Sequence, residues 1–132
     1  MLKTKALLKQ LNKIDSNKAV FITAMTGGLI INQYGLFEAA SARMINKSNN
    51  TMVKSLLLTA LSSPGEEVAT CFDTKMLRSS VKKCIRSNHD QIHIYIDELN
   101  SSAQLMSVIV SESSFFLVVD WGELANTNSE CI

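Results

Sequence analysis

Proline is almost missing from this chain, with one residue in 132, and there are only five glycines. That composition excludes a flexible linker, a collagen-like repeat and a low-complexity tail. Cysteine is scarce and odd in number (Cys71, Cys84 and Cys131), without a CxxC pair. This argues against a disulfide framework and for a reducing, intracellular compartment. No stretch approaches the roughly 20 apolar residues of a membrane-spanning helix. The opening Met-Leu-Lys-Thr-Lys lacks the apolar run of a secretion signal, its Leu2 excludes myristoylation, and Cys131 stands where prenylation does not occur. The expectation is a soluble protein, or one held at a membrane by something else. A surplus of one charge is lacking too: 13 Lys and Arg stand against 12 Asp and Glu, a net +1 that argues against a nucleic-acid binder.

What is present is a chain 46% hydrophobic, long enough to bury about two thirds of the surface its unfolded form exposes. It reads as one domain over residues 1–132. The charges are polarised along it: residues 1–15 carry +3, residues 16–88 carry +5, and residues 89–132 carry seven acids and no base. Such a distribution favours one orientation toward a charged partner or surface.

Local patterning predicts the elements. Leu7, Leu11 and Ile14 recur at helical spacing in Leu2 to Ile14, with the lysines mostly elsewhere. Ala19 to Thr26 is rich in β-branched and aromatic residues, and Gly27-Gly28 before Leu29-Ile30-Ile31 is a two-residue hairpin signal. Thr51 to Ser62 reads as a helix stopped by Pro64-Gly65. On a helical projection its apolar residues cover about two thirds of the circumference, wider than the stripe that covering a sheet requires, so a second buried face is expected. Val81, Cys84 and Ile85 share helical spacing inside a possible insertion at 64–88, with Lys82, Lys83 and Arg86 outside. Gln91 to Asp97 alternates strictly, as a half-buried strand at a sheet edge would. Ala103 to Val110 and Phe115 to Trp121 are near-continuous apolar runs, expected of strands covered on both faces. A polar tail, 122–132, follows.

Catalytic constellations do not emerge. His89 and His93 are four residues apart, which along a strand is roughly 13 Å, too far to share a metal. The cysteines have no neighbouring His, Gly27-Gly28 is not part of a GxxxxGK[ST] loop, and the acid pairs Glu66-Glu67 and Asp97-Glu98 fall in expected loops. No catalytic residue, metal ligand or cofactor is nominated.

The expected order is helix, two strands, helix, three strands: an α/β domain with a five-stranded antiparallel sheet sandwiched by helices, and a C-terminal helix short or absent. This order, together with Val20-Phe-Ile-Thr-Ala-Met-Thr-Gly-Gly-Leu-Ile30, Ser48-Asn-Asn-Thr-Met-Val-Lys-Ser-Leu-Leu-Leu58, Gln91-Ile-His-Ile-Tyr-Ile-Asp-Glu-Leu99 and Leu105-Met-Ser-Val-Ile-Val-Ser-Glu112, resembles the roadblock family. It is most similar to the roadblock subunits of the Ragulator scaffold and its yeast counterpart, the EGO complex. The resemblance covers about three quarters of the chain. It implies a non-catalytic scaffold subunit that pairs with other roadblock-type subunits. The assembled complex holds Rag/Gtr-type GTPases at the cytoplasmic face of the vacuolar or lysosomal membrane, in amino-acid signalling to TOR complex 1. Membrane contact is then indirect, through a partner. Since the family pairs through its central helix and the adjoining sheet edge, the implied interface is Met52, Leu56, Thr59 and Ala60 with His93 and Tyr95. The alternatives are a dynein-type light chain, another small-GTPase regulatory module, or a peripheral membrane-binding domain resting on the lysine-rich N-terminal helix.

Overall fold

The computed structural model describes residues 1–46, 49–61 and 68–130. Three helices, α1 (Thr4–Asn12), α2 (Thr74–Arg86) and α3 (Trp121–Glu130), accompany seven strands. These are β1 (Ala19–Thr26), β2 (Leu29–Asn46), β3 (Thr51–Leu61), β4 (Gln91–Ile96), β5 (Ser101–Gln104), β6 (Ser107–Val110) and β7 (Ser114–Asp120). They form one mixed sheet in the order β5-β4-β3-β2-β1-β7-β6. The α/β class holds, whereas the five-stranded antiparallel sheet does not: β1 runs parallel to β7, and β3 parallel to β4.

Two differences account for the strand count. Thr51 to Ser62 is not a helix; its described part, Thr51–Leu61, is a strand paired along its length with β2. Ser62 and Pro64-Gly65 lie outside the described residues. The second difference is a kink. The run from Ser101 to Val110 breaks at Leu105-Met106, where the Leu105 N–H donates to the Ile92 carbonyl and the Met106 N–H to the Val118 carbonyl. One extended run therefore serves both ends of the strand order, so the sheet curls until its edges meet across two residues.

The β1–β2 hairpin forms where expected. Gly27 and Gly28 both have positive φ (56° and 79°), the backbone of a two-residue turn that fits twisted strands. Beyond it β2 runs on far past Ile31, and a bulge at Phe37 shifts its register against β3. Just before the bulge, the irregular segment 69–72 wedges between β1 and β2. The Cys71 N–H donates to the Leu36 carbonyl, the Val20 N–H donates to the Phe72 carbonyl, and the Thr70 hydroxyl donates to the Val20 carbonyl at 2.6 Å. Gly35 permits this wedge: a Cβ there would sit 1.7 Å from the Ala69 carbonyl oxygen.

Alternate residues of the strands point into one core: Val20, Ile22 and Ala24 of β1, Leu56, Leu58 and Ala60 of β3, Ile92, Ile94 and Ile96 of β4, Phe115, Leu117 and Val119 of β7. The buried residues of all three helices, Leu7, Leu11, Leu77, Val81, Cys84 and Leu124, join the same cluster. The helices thus serve one face of the sheet and do not sandwich it, and no helix among the described residues lies on the other. The expected helix within 64–88 is α2, with Val81 and Cys84 buried and Lys82, Lys83 and Arg86 exposed. Asp73 caps it, accepting from the Met76 N–H at 2.8 Å. Residues 64–67 are outside the described part. The tail expected at 122–132 is mostly the short helix α3; Cys131 and Ile132 are not described.

Candidate interaction surface

The outward face of the sheet is built from the residues that alternate with the core. On β1 and β7, Phe21 and Phe116 are register partners whose rings stack with centroids 6.0 Å apart. On β3 and β4, Leu57 pairs with His93 and Thr59 with Tyr95. Most of these side chains are half-buried, an intermediate state that a one-sided sheet produces. Beyond the core, the β2–β3 ribbon continues as a projecting arm with Ile45 opposite Met52, 61% and 63% exposed. Leu29, Ile30 and Ile31 are exposed beside the glycine turn, and Ile109 and Val110 are exposed on β6, which pairs on one side only.

The six expected interface residues do not form one surface. Leu56 and Ala60 point into the core, Leu56 completely buried, because strand parity sends even positions of β3 inward. Met52 lies out on the arm. Thr59, His93 and Tyr95 are brought together on the outward face of β3 and β4. The strand Gln91 to Ile96 is not at an edge; it lies between β3 and β5. The strand order ends instead at β5 and β6, and on β6 Ser107, Ile109 and Val110 are exposed, so the run Ala103 to Val110 is not covered on both faces.

One pairing was not legible in the sequence. The Ser55 hydroxyl is 2.9 Å from His93 Nδ1, and the Ser55 side chain is fully buried. Burial lowers the His93 pKa below 6.5, so the ring is neutral near pH 7 and its Nδ1 can accept the hydroxyl proton. A hydroxyl beside a neutral imidazole is the first element of a nucleophilic site. Here the oxygen is closed off from solvent, and among the described residues no carboxylate hydrogen-bonds the ring. The pair is a structural contact that fixes β3 against β4. A strand reading of Ser55, Leu57 and Thr59 against Leu56, Leu58 and Ala60 is the signal that finds it.

The other candidate groups are dispersed. His89 follows the end of α2, with Nδ1 2.8 Å from the Ser87 hydroxyl and its carbonyl accepting from the Thr4 hydroxyl. Cys71 is exposed, and Cys84 is buried, which pushes its thiol pKa up and away from thiolate. Cys84 borders a half-open cavity of about 330 Å³ between β2 and α2, with Ala39, Ser41, Leu56 and Ser80. No acid lines that cavity. Among the described residues no three His, Cys, Asp or Glu side chains converge on a point, and no helix is long and apolar enough to cross a membrane. No protein-family model, curated protein or solved structure matches this chain.

Proposed function

We infer that this chain is a non-catalytic scaffold subunit that works by pairing with another chain through the outward side of its sheet and the β2–β3 arm. The observation that carries the reading is the exposed apolar surface. Leu29, Ile30, Ile45, Met52 and Ile109 are each more than two fifths exposed, at the hairpin turn, on the arm and on β6, where the sheet runs beyond the core. Large apolar side chains concentrated at sheet ends and on a projecting ribbon have a high cost in water, which a partner removes. The free side of β6 offers backbone groups that a partner strand can pair.

The specific form of the proposal is a roadblock-type subunit of a Ragulator-like or EGO-like scaffold, holding Rag/Gtr-type GTPases at the vacuolar or lysosomal membrane in signalling to TOR complex 1. Its support is the resemblance. Three of its four segments lie in the hairpin, the β4 strand and the kinked β5–β6 run, while Ser48 to Leu58 falls largely in β3 rather than in a central helix. The pairing surface proposed is accordingly moved from a helix to Thr59, His93, Tyr95 and Met52 with the neighbouring exposed residues. The test is to isolate the tagged full-length chain from its native cells and identify the chains that come with it. Rag-type GTPases together with roadblock subunits are the expected result. Dynein components would move the protein to the light-chain alternative, and recovery of the chain alone would overturn the scaffold reading.

A further inference from the structure

The two helices α1 and α2 contain no acidic residue, although acids make up nearly half of the charged residues in the chain. On α1 the buried stripe is Thr4, Leu7 and Leu11, and Lys5, Lys9 and Lys13 recur every four residues on the opposite, exposed side. On α2 the buried stripe is Thr74, Leu77, Val81 and Cys84, and Lys75, Arg78, Lys82 and Arg86 form a second cationic row at spacings of three and four. The two rows adjoin. The Arg78 guanidinium donates to the Leu11 carbonyl of α1 at 2.8 Å, so the cationic side of α2 is the side next to α1. With Lys3 before α1, the adjoining rows form a layer of eight cations; Lys83 stands on the other flank of α2, at the cavity beside β2.

We propose that this layer docks the protein directly on an anionic lipid bilayer. Lysine predominates in it, and lysine acts as a point charge toward a diffuse anionic surface. Met1, exposed two residues before Lys3, supplies an apolar group for the headgroup region. Neither helix holds an aromatic residue, which removes the stacking platform that single-stranded nucleic acid uses. Asp15, Asp73 and Asp90 stand at the ends of these helices and offset part of the charge, Asp73 as the cap of α2 and Asp90 with its carbonyl accepting from the Thr4 N–H, while Asp97, Glu98, Asp120 and Glu123 lie on other elements, the 3₁₀ turn Asp97–Leu99 and the β7–α3 junction. An anionic plane therefore attracts the helices and repels those elements, and a molecule of net charge +1 binds in one orientation. The scaffold reading has its membrane contact supplied by partners; this contact is the chain's own and uses a different face.

The experiment floats the full-length chain with vesicles of phosphatidylcholine alone, and with vesicles containing about 30% phosphatidylserine, an anionic surface that attracts cations by about fivefold in partition for each. Binding is expected to the anionic vesicles alone, and to fall more than about tenfold between roughly 0.05 and 0.5 M salt as screening shortens. The variant Lys5→Glu, Lys9→Glu, Lys82→Glu, Arg86→Glu alters exposed positions only and is expected to lose binding by at least about 100-fold. Arg43→Glu with Lys54→Glu, paired and exposed on the arm, is the control and is expected to retain it. Binding that ignores salt, an equal loss in the arm variant, or a preference for mixed-sequence duplex DNA over vesicles would overturn the proposal. So would absence of vesicle binding by the unmodified chain. Pairing measured by co-purification is expected to survive the helix variant, which separates failure here from failure of the scaffold reading.

Discussion

Four residues have environments that the sequence conceals. Thr23 is buried on the outward side of β1, and among the described residues its hydroxyl has no hydrogen-bond partner. A buried polar group left unpaired costs the desolvation it cannot recover. Thr23→Val is therefore expected to leave stability unchanged or raise it by about 1 kcal/mol in a urea titration; a clear loss would mean that the hydroxyl has a partner in solution. Gly35 is the reverse case, since a methyl there meets the Ala69 carbonyl and the Thr70 backbone. Gly35→Ala is expected to cost about 1–3 kcal/mol or more, because the obstacle is backbone and cannot rotate away. His93 and Asp73 make stability depend on pH. Burial holds the His93 pKa below its ordinary value, so the folded state resists the proton that the unfolded chain accepts, and its contribution fades as pH falls below about 6.5. Asp73 is held below the ordinary carboxylate value, first by the Met76 N–H, so its contribution is present above about pH 4 and lost in stronger acid. Replacing His93 by Phe should remove the upper of these two losses from a pH series of denaturation midpoints, and unchanged pH dependence would contradict the assignment.

At the scale of elements, legibility followed the clarity of period. Helix α1 and strand β4 carry one dominant period and form near their expected bounds, the Gly27-Gly28 turn and the apolar run of β7 form where expected, and α2 lies inside 64–88, where helical spacing set no bounds. Thr51 to Leu61 carries two periods. Its inward set, Leu56, Leu58 and Ala60, alternates with outward Leu57 and Thr59, and since both sets hold apolar residues the run has an apolar face under a helical projection as well. Pairing with β2 decided it as a strand, an override that no local pattern announces. The residues of β2 beyond Ile31, Ala-rich and punctuated by polar residues, have weak strand propensity and become a strand through β3. The implied interface failed by the same route: a helix puts Met52, Leu56 and Ala60 on one side, whereas the strand buries Leu56 and Ala60 and leaves Met52 on the arm. This makes a direct contrast. Leu56→Glu is expected to abolish folding, because it places a charge in the closed core, while Met52→Glu is expected to keep the fold and its thermal midpoint. Circular dichroism on the two variants checks both; a folded Leu56→Glu protein would refute the strand.

On the scale of the whole molecule, the charges and the apolar residues divide the surface in two. The helical layer is cationic, and the exposed apolar side chains gather at the sheet ends, on β6 and on the arm, where Arg43 and Lys54 stand beside them. Net charge is close to zero, so long-range repulsion does little to keep copies apart. Exposed Ile45, Met52, Ile109 and Val110 should then drive association whenever the natural partner is absent. The scaffold reading depends on that surface being sticky enough to need a partner. Light scattering on the purified full-length chain at tens of micromolar, roughly the range in which exposed apolar surface associates, tests it most directly. Dimers or larger species are expected, reverting toward monomer when Met52→Glu and Ile45→Lys are introduced together. A stable monomer from the unmodified chain at that concentration would contradict that reading.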